Sequence, residues 1–222
     1  MLERILEPEV MDSELDAHEY ASFDNSIVND EFVKRAQELA PPSGYVLDVG
    51  TGPGDIAVLF ATRAPALNFL AIDLGEHMLG MARRNVVTAK LTGRVEIARM
   101  DAKATGYPAG TFDMVISNSL VHHIPDPEQL FRELRRVARP GAGLFIKDLH
   151  RPESASELRA LVDRYAAGCT PYQTQTFRDS LHAALTVEEV TEMLQDLGWD
   201  DLTARRCSDR HWSIERRASV AS

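Results

Sequence analysis

The order of apolar segments constrains the fold of this 222-residue chain more than any other feature of its sequence. Up to residue 149, short apolar runs with β-branched residues alternate with longer patterns of helical period. Strands that alternate with helices predict a parallel sheet covered by helices on both faces. The predicted strands span 45–50, 68–73, 95–100, 113–118 and 143–149. The predicted helices between them lie near 54–64, 76–91 and 127–138.

Prolines mark the ends of several predicted helices. Pro127 suits the first turn of the third of these helices, and Pro140–Gly141 is predicted to stop it. The first 40 residues predict one or two amphipathic helices that end at Pro41–Pro42. Pro171 suits the first turn of a later helix.

The alternation breaks after the fifth predicted strand. Residues 153–184 predict two helices without a strand between them, and Ser154 with Glu157 forms a capping-box pattern at the first. Thr186 with Glu189 forms a second capping-box pattern. The remaining predicted elements are a helix that ends at Gly198 and two polar strands, 201–207 and 211–217.

Composition and charge limit the kinds of binding partner and the cellular compartment that the sequence predicts. The 34 acidic and 24 basic side chains give a formal net charge of −10, which repels phosphate backbones and disfavours a nucleic-acid partner. Cys169 and Cys207 have no metal-ligand spacing and indicate a reducing compartment, so we expect no metal site. No segment has the length of a membrane span or the pattern of a signal peptide, which predicts a cytoplasmic protein.

The segment 46–57 is the most informative about function. A buried strand runs into Gly50, Gly52 and Gly54, and a helix follows at once. Glycine permits a positive φ angle and close approach of the backbone, so a flat ligand can lie against this turn. A dinucleotide fingerprint instead needs its third glycine later, over the pyrophosphate. The pattern therefore predicts ligand binding at this turn and disfavours a dinucleotide.

Two acidic residues follow at the ends of the next strands. Asp73 lies 19 residues after Gly54, where a carboxylate meets ribose hydroxyls in α/β folds. Asp101 follows the third strand, and acceptors at both positions suit the ribose and the exocyclic amine of an adenosine. The fourth strand and its loop, 112–127, end at the same edge of the sheet. Together these residues predict a ligand that contains adenosine.

These motifs resemble those of the class I S-adenosylmethionine-dependent methyltransferases, and especially the branch that includes the ubiquinone and menaquinone biosynthesis methyltransferases. The resemblance covers about residues 45–149, and the motifs occur in order at the expected separations. They are VLDVGTGPG (46–54), AIDLGEHMLGMARRN (71–85), RMDA (99–102), FDMVISNSLVHHIPDP (112–127) and LRRVARPGAGLFIKD (134–148).

The resemblance implies S-adenosylmethionine as the cofactor. It also implies an α/β fold with a Rossmann-like, mostly parallel seven-stranded sheet, helices on both faces, a reversed last strand and a small helical cap. Asp73 would accept hydrogen bonds from the ribose hydroxyls, and Met78 would pack on the adenine. Asp101 and the Ala102 amide would form hydrogen bonds with the polar edge of the adenine. The expected cofactor-binding residues are Asp48, Gly50, Thr51, Gly52, Gly54, Asp73, Leu74, Met78, Asp101, Ala102, Asn118 and Tyr20.

We expect the chain to divide into four segments. Residues 1–42 form an N-terminal helical lid that contributes Tyr20, and residues 43–150 form the Rossmann-like cofactor-binding core. Residues 151–185 form a helical cap insertion. Residues 186–222 add the last helix and the C-terminal strand pair to the core.

The chemistry of methyl transfer indicates which other residues matter. The sulfonium of S-adenosylmethionine is already a strong electrophile, so the protein has to align a nucleophile and exclude water. A base is needed only when the nucleophile carries a proton of high pKa. The catalytic candidates lie just past the fourth and fifth strands and are His122, His123, Asp148 and His150.

His150 is the preferred base, because it follows Asp148 at alternate spacing. If both side chains share one strand face, Asp148 orients the imidazole or raises its pKa. Arg151 is then free to hold an acidic group of the acceptor. We expect the methyl group to point into a pocket bounded by residues 118–123, residues 148–151 and the inner face of the cap.

These observations predict transfer of a methyl group from S-adenosylmethionine to a small-molecule acceptor. A protein or RNA acceptor is the first alternative, which the acidic charge and the lack of an RNA-binding appendage disfavour. A nicotinamide-dependent oxidoreductase and a catalytically silent cofactor-binding module are further alternatives, because a fold does not determine a function.

Overall fold

The computed structural model describes residues 2–10, 12–13, 15–16, 19 and 25–219. In this part of the chain the strands are β1 (Gly44–Val49), β2 (Leu67–Asp73), β3 (Val95–Arg99), β4 (Phe112–Asn118), β5 (Ala138–Leu149), β6 (Ala204–Arg206) and β7 (His211–Arg216). They form one seven-stranded sheet in the order β3-β2-β1-β4-β5-β7-β6. β1 pairs in parallel with β2 and β4, and β2 with β3, whereas β6 and β7 are antiparallel. The predicted mostly parallel sheet with a reversed last strand is confirmed.

Helices precede or separate the first five strands, except that β4 follows β3 without a described helix between them, and three helices follow one another after β5. The helices are α1 (Ser26–Leu39), α2 (Asp55–Arg63), α3 (Glu76–Thr88), α4 (Pro127–Val137), α5 (Ala155–Tyr165), α6 (Pro171–Ala183) and α7 (Val187–Asp196), with a short 3₁₀ helix at Val121–His123. The two helices predicted for 153–184 are therefore present as α5 and α6. Among the described helices, none has the length and apolar character needed to cross a bilayer.

Side-chain caps begin the late helices at the predicted residues. The Ser154 hydroxyl accepts a hydrogen bond from the Glu157 amide at 3.2 Å, but the Glu157 carboxylate accepts from the Glu153 amide instead of completing the box. Thr186 and Glu189 form a complete capping box, with hydrogen bonds of 3.2 and 2.9 Å. Each cap satisfies amides that have no partner within the helix.

The start of β5 differs from the prediction, because α4 passes directly into the strand. β5 begins at Ala138 instead of residue 143, so Pro140–Gly141 lies inside the strand. Gly141 has a φ of 75°, and its carbonyl accepts a hydrogen bond from the Ser219 amide at 2.8 Å. Glycine tolerates this left-handed conformation, so the pair is an irregularity within the strand and not its boundary.

The N-terminal part of the chain contains the helix that was predicted to end at Pro41–Pro42. α1 precedes Pro41–Pro42 as expected, but residues 2–10 have no regular secondary structure. Arg4 holds this segment in place by donating from Nε to the Ala183 carbonyl at 2.7 Å and from Nη2 to the Ile124 carbonyl at 2.9 Å. Tertiary hydrogen bonds therefore hold this irregular segment.

The chain divides into two compact units, each with its own apolar cluster. The glycine-turn unit comprises Val10–Asn118, Gln129–Ile146 and Glu215–Ser222, and the histidine unit comprises Met1–Glu9, Ser119–Glu128 and Lys147–Ile214. The cluster in the glycine-turn unit includes Phe32, Phe60, Phe69, Met114, Ile116 and Phe145. The cluster in the histidine unit joins the end of β5 to α5 and α6 through Leu149, Leu158, Leu161, Val162, Leu181 and Ala184.

Candidate functional site

The turn after β1 has the backbone geometry that its glycines predict. Gly50, Gly52 and Gly54 have φ angles of 69°, 53° and 78°, all in the left-handed region. A Cβ atom on Gly54 would lie 3.0 Å from the Ala82 Cβ, so this glycine permits close packing of the turn against α3. A Cβ atom on Gly52 would meet no described atom within 4 Å. The turn therefore presents bare backbone to open space at Gly52.

Asp73, at the end of β2, accepts hydrogen bonds from this turn and from the start of α3. Its Oδ2 accepts a hydrogen bond from the Gly52 amide at 2.9 Å, and its Oδ1 accepts one from the Gly75 amide at 2.9 Å. A carboxylate has about four acceptor positions, so these two amides leave acceptor capacity for other donors. The structure thus places Asp73 beside the glycine turn, as predicted, and its role toward ribose hydroxyls stays a prediction.

Asp48 is a buried acid directly behind the turn, with 3% of the residue exposed. It accepts a hydrogen bond from Thr51 Oγ1 at 2.6 Å. Burial raises the pKa of Asp48 to about 7; the Thr51 hydrogen bond opposes this shift and the charge of Asp73 adds to it. A cationic ligand group would favour the ionised form. S-adenosylmethionine carries a sulfonium and an amino group, so this acid fits that cofactor.

The predicted adenine-side residues lie in the same unit. Asp101 follows β3 and accepts hydrogen bonds from its own turn, because the Lys103 amide lies 2.8 Å and the Lys103 Nζ 3.0 Å from its Oδ1. Met78 in α3 and Ala102 are buried, and Asn118 is the last residue of β4. β1 pairs with both β2 and β4, so the carboxyl ends of these three strands adjoin one another.

The two remaining predicted cofactor-binding residues are Leu74 and Tyr20. Leu74 directly follows β2, and its carbonyl accepts a hydrogen bond from Arg99 Nε at 3.1 Å. Tyr20, the residue expected in an N-terminal lid, lies outside the described part of the chain. Apart from Tyr20, the predicted cofactor residues lie in the turn after β1, at or just after the ends of β1 to β4 and, for Met78, in α3.

A second group of functional candidates lies in the histidine unit, around Asp148. Asp148 Oδ1 lies 2.5 Å from His122 Nδ1, and its Oδ2 accepts a hydrogen bond from the Val121 amide at 2.6 Å. The side chains are 3% (His122) and 1% (Asp148) exposed. Burial opposes the charge of each, but their pairing holds the pKa of Asp148 below and that of His122 above its ordinary value. They therefore form a buried carboxylate–imidazole pair.

Glu7 joins this pair from the N-terminal segment, and no sequence pattern indicated it. Its Oε1 lies 3.5 Å from His122 Nε2 and 3.0 Å from His123 Nδ1. The Ser180 hydroxyl donates to its Oε2 at 3.2 Å. The Glu7 side chain is 5% exposed, and the two imidazole rings lie with centroids 4.2 Å apart. We call Glu7, His122, His123 and Asp148 the histidine cluster.

His150 does not belong to the histidine cluster, and the expected pairing of Asp148 with His150 is wrong. β5 ends at Leu149, so the alternate spacing does not continue to residue 150. The His150 amide donates to the Arg210 carbonyl at 2.8 Å, and its buried Nδ1 has no hydrogen-bond partner among the described residues. Burial, with the charge of Arg206 acting in the same direction, lowers the pKa of His150.

Arg151 is also not free to hold an acidic acceptor group, which corrects the sequence prediction. Its guanidinium is buried and donates from Nη1 to the Ala184 carbonyl at 3.0 Å. Its Nη2 forms an ion pair with Glu189, a member of the capping box of α7. Arg151 therefore supports the start of that helix.

Comparison with known proteins agrees with this geometry. The family described as "Methyltransferase domain" matches residues 47–146. The ubiquinone biosynthesis O-methyltransferase of Xanthomonas euvesicatoria pv. vesicatoria (strain 85-10) is 28% identical over 176 residues, covering 75% of this chain and 72% of that protein.

Two solved structures have a similar fold. One is a SAM-dependent methyltransferase from Aquifex aeolicus, with a TM-score of 0.59, 22% identity, and coverage of 89% of this chain and all (100%) of that one. The other is Haemonchus contortus phosphoethanolamine N-methyltransferase 2 in complex with S-adenosyl-L-methionine, with a TM-score of 0.69, 17% identity, and coverage of 91% and 56%. In the glycine turn hydrogen-bonded to Asp73, in its sheet order and in these matches, the chain is similar to the class I S-adenosylmethionine-dependent methyltransferases.

Proposed function

We propose that this enzyme transfers the methyl group of S-adenosylmethionine to a hydroxyl group of a small-molecule acceptor. The observation that carries the proposal is the buried His122–Asp148 pair on the loop directly after β4. The relative in Xanthomonas euvesicatoria is an O-methyltransferase, and this supports a hydroxyl acceptor. The net charge of −10 argues against a nucleic-acid acceptor.

On the cofactor side, we assign binding to the residues of the glycine turn and the strand ends beside it. S-adenosylmethionine supplies a methyl group on an electrophilic sulfonium. The bare backbone at Gly52 lets the cofactor lie close to the turn, Asp73 accepts from the ribose hydroxyls, and Asp48 favours the cationic groups. Asp101, Ala102 and Met78 surround the adenine.

On the acceptor side, we assign activation of the hydroxyl to the histidine cluster and not to His150. A hydroxyl of high pKa has to lose its proton as the new C–O bond forms, so a polar group must assist. Asp148 orients the His122 ring through Nδ1 and leaves Nε2 for this work. His150 has no comparable partner, so we regard it as a buried structural residue.

The decisive experiment is a transfer assay with isotope-labelled S-adenosylmethionine. The purified enzyme is incubated with a fractionated metabolite extract, with total protein and with total RNA in parallel, and labelled products are identified by mass spectrometry. We expect label in a small molecule that carries a new methoxy group. Label found only in protein or RNA would overturn the small-molecule assignment, and label on nitrogen or carbon would overturn the hydroxyl assignment.

A further inference from the structure

We propose that Glu7, His122 and His123 bind a divalent transition-metal cation of the zinc type. The sequence predicted no metal site, because the two histidines are adjacent and the carboxylate comes from the distant N-terminal segment. In the fold, one ligand atom from each residue lies within 4.8 Å of the other two. Two imidazoles and one carboxylate are a ligand set that zinc commonly takes in proteins.

The distances within the histidine cluster fit such a cation. Glu7 Oε1 lies 3.5 Å from His122 Nε2 and 3.0 Å from His123 Nδ1. Ligand atoms about 2.0–2.1 Å from a tetrahedral zinc ion are separated from one another by about 3.3 Å. Small side-chain adjustments therefore suffice to bring these atoms into a coordination sphere.

The hydrogen bonding of the cluster also leaves room for a cation. Glu7 Oε1 and His123 Nδ1 are both buried and lie 3.0 Å apart, but they are not aligned for a hydrogen bond with each other and neither has another hydrogen-bond partner among the described residues. Buried polar atoms in native proteins are nearly always satisfied by protein, water or an ion. A cation placed between them would satisfy both atoms at once.

Asp148 supplies the supporting contact that metal-binding histidines usually have. It holds His122 through Nδ1 and thereby leaves Nε2, the nitrogen that faces Glu7, available as a ligand. The Val121 amide fixes the other oxygen of Asp148. Such carboxylate–histidine–metal arrangements orient the ring and increase its basicity as a ligand.

The charge of the site also favours a dication. Glu7 and Asp148 bring two carboxylates into a buried site in which the histidines are the nearest ion-pair partners. Arg4 directs its guanidinium nitrogens to the carbonyls of Ala183 and Ile124. Buried carboxylates require compensation by a cation or a proton.

Three protein ligands leave one tetrahedral position open, as in catalytic zinc sites. A hydroxyl oxygen of the acceptor bound there would lose its proton to solvent water more readily, since the cation stabilises the negative charge, and the cation would then assist this step in place of His122 Nε2. This catalytic part rests on the proposed function, whereas binding of the cation does not. The rival occupant is a proton on His122, shared between Asp148 and Glu7, which does not require His123.

The test is titration of chelator-treated protein with Zn²⁺ by calorimetry and with Co²⁺ by visible absorption. We expect one equivalent to bind, with the intense visible bands of tetrahedral Co²⁺. Glu7→Gln and His123→Asn should each weaken binding at least about tenfold. His77→Asn, which removes an exposed histidine in α3, should bind as the wild type does.

The outcomes separate the two proposals. No binding of either metal to the wild-type protein, or unchanged binding in a folded His123→Asn variant, would overturn the cation site, whatever the transfer assay shows. Binding that both variants weaken establishes the site even if no hydroxyl acceptor is found, and in that case only the proposed function fails. Transfer that chelation leaves unchanged would overturn the catalytic part.

Discussion

His122 Nδ1 lies 2.5 Å from Asp148 Oδ1, so a buried carboxylate–imidazole pair joins the 3₁₀ helix after β4 to the end of β5. Asp148 also accepts hydrogen bonds from the amides of Val121 and Leu149, at 2.6 and 2.7 Å. Its carboxylate is therefore held by three groups, and none of them is His150. On this contact rests our proposal that His122 assists the acceptor-side chemistry, and the predictions below test that proposal together with the cofactor side.

S-adenosylhomocysteine should stabilise the protein against heat, because a ligand that binds only the native state shifts unfolding by mass action. Asp73→Ala should reduce the affinity for this ligand at least tenfold, since each lost hydrogen bond to the charged acceptor contributes about 1.5–3 kcal/mol. Thermal-shift titration and calorimetry measure the effect. Asp113→Ala is the matched control, because Asp113 bonds the Tyr45 amide at the opposite end of the strands. Equal affinity in a folded Asp73→Ala variant would disprove the assignment.

Alanine substitutions at two glycines of the turn should have different consequences. Gly54→Ala places a Cβ 3.0 Å from the Ala82 Cβ and adds left-handed strain, so it should mainly lower the free energy of unfolding. Gly52→Ala meets no described atom, and its strain should cost only about 1–2 kcal/mol. Its methyl group occupies the open space at the turn and should weaken cofactor binding. Denaturation and cofactor titration of both variants check this, and full cofactor affinity in Gly52→Ala would contradict it.

His122→Asn should lower kcat by about 10²-fold or more at saturating cofactor, the usual range for loss of acid–base assistance. His150→Asn should change kcat by less than about threefold, because His150 does not contact the Asp148 carboxylate. The same acceptor is used for both variants, and circular dichroism verifies their folding. The reverse ranking would restore His150 as the base.

Acid should destabilise the fold through His211. Burial, together with the charges of Lys147 and Arg210, lowers the pKa of His211 to about 3. The unfolded chain takes up this proton near the ordinary value of about 6.5, so stability is lost as the pH falls from about 6.5 toward 3. Through His211, the free energy of unfolding should change by up to about 1.4 kcal/mol per pH unit. His211→Gln should flatten the curve measured by urea denaturation, and an unchanged slope would contradict the burial of a neutral imidazole.

In the ligand-free protein, Asp48 should have the opposite effect on how the free energy of unfolding depends on pH. Its pKa of about 7 lies above the ordinary value, so the native state holds a proton that the unfolded chain releases. Stability should therefore fall as the pH rises from about 4 to 7 and then level off. Asp48→Asn should remove this decline and make the ligand-free protein more stable at pH 8. The same denaturation series measures it, and a wild-type decline retained in the variant would refute the assignment.

Several features of the fold follow from local sequence and were predictable for that reason. The reciprocal Thr186–Glu189 contacts depend on residues three positions apart, and the positive φ angles of Gly50, Gly52 and Gly54 depend on single residues. The placement of Asp73 beside the turn follows from one helix and one strand between them. Caps, glycine conformations and strand ends depend on residues that are close together in the chain, so the sequence alone is enough to predict them.

The partners of the charged residues were decided only by the tertiary structure. Asp148 pairs with His122, 26 residues away, and Arg151 pairs with Glu189, 38 residues away. Glu7 reaches the histidines because Arg4 holds an irregular segment against the Ala183 and Ile124 carbonyls. Spacing along the chain does not encode these choices. They depend on where β5 stops and which segments pack over its end, and both are set by burial of apolar surface across the whole fold.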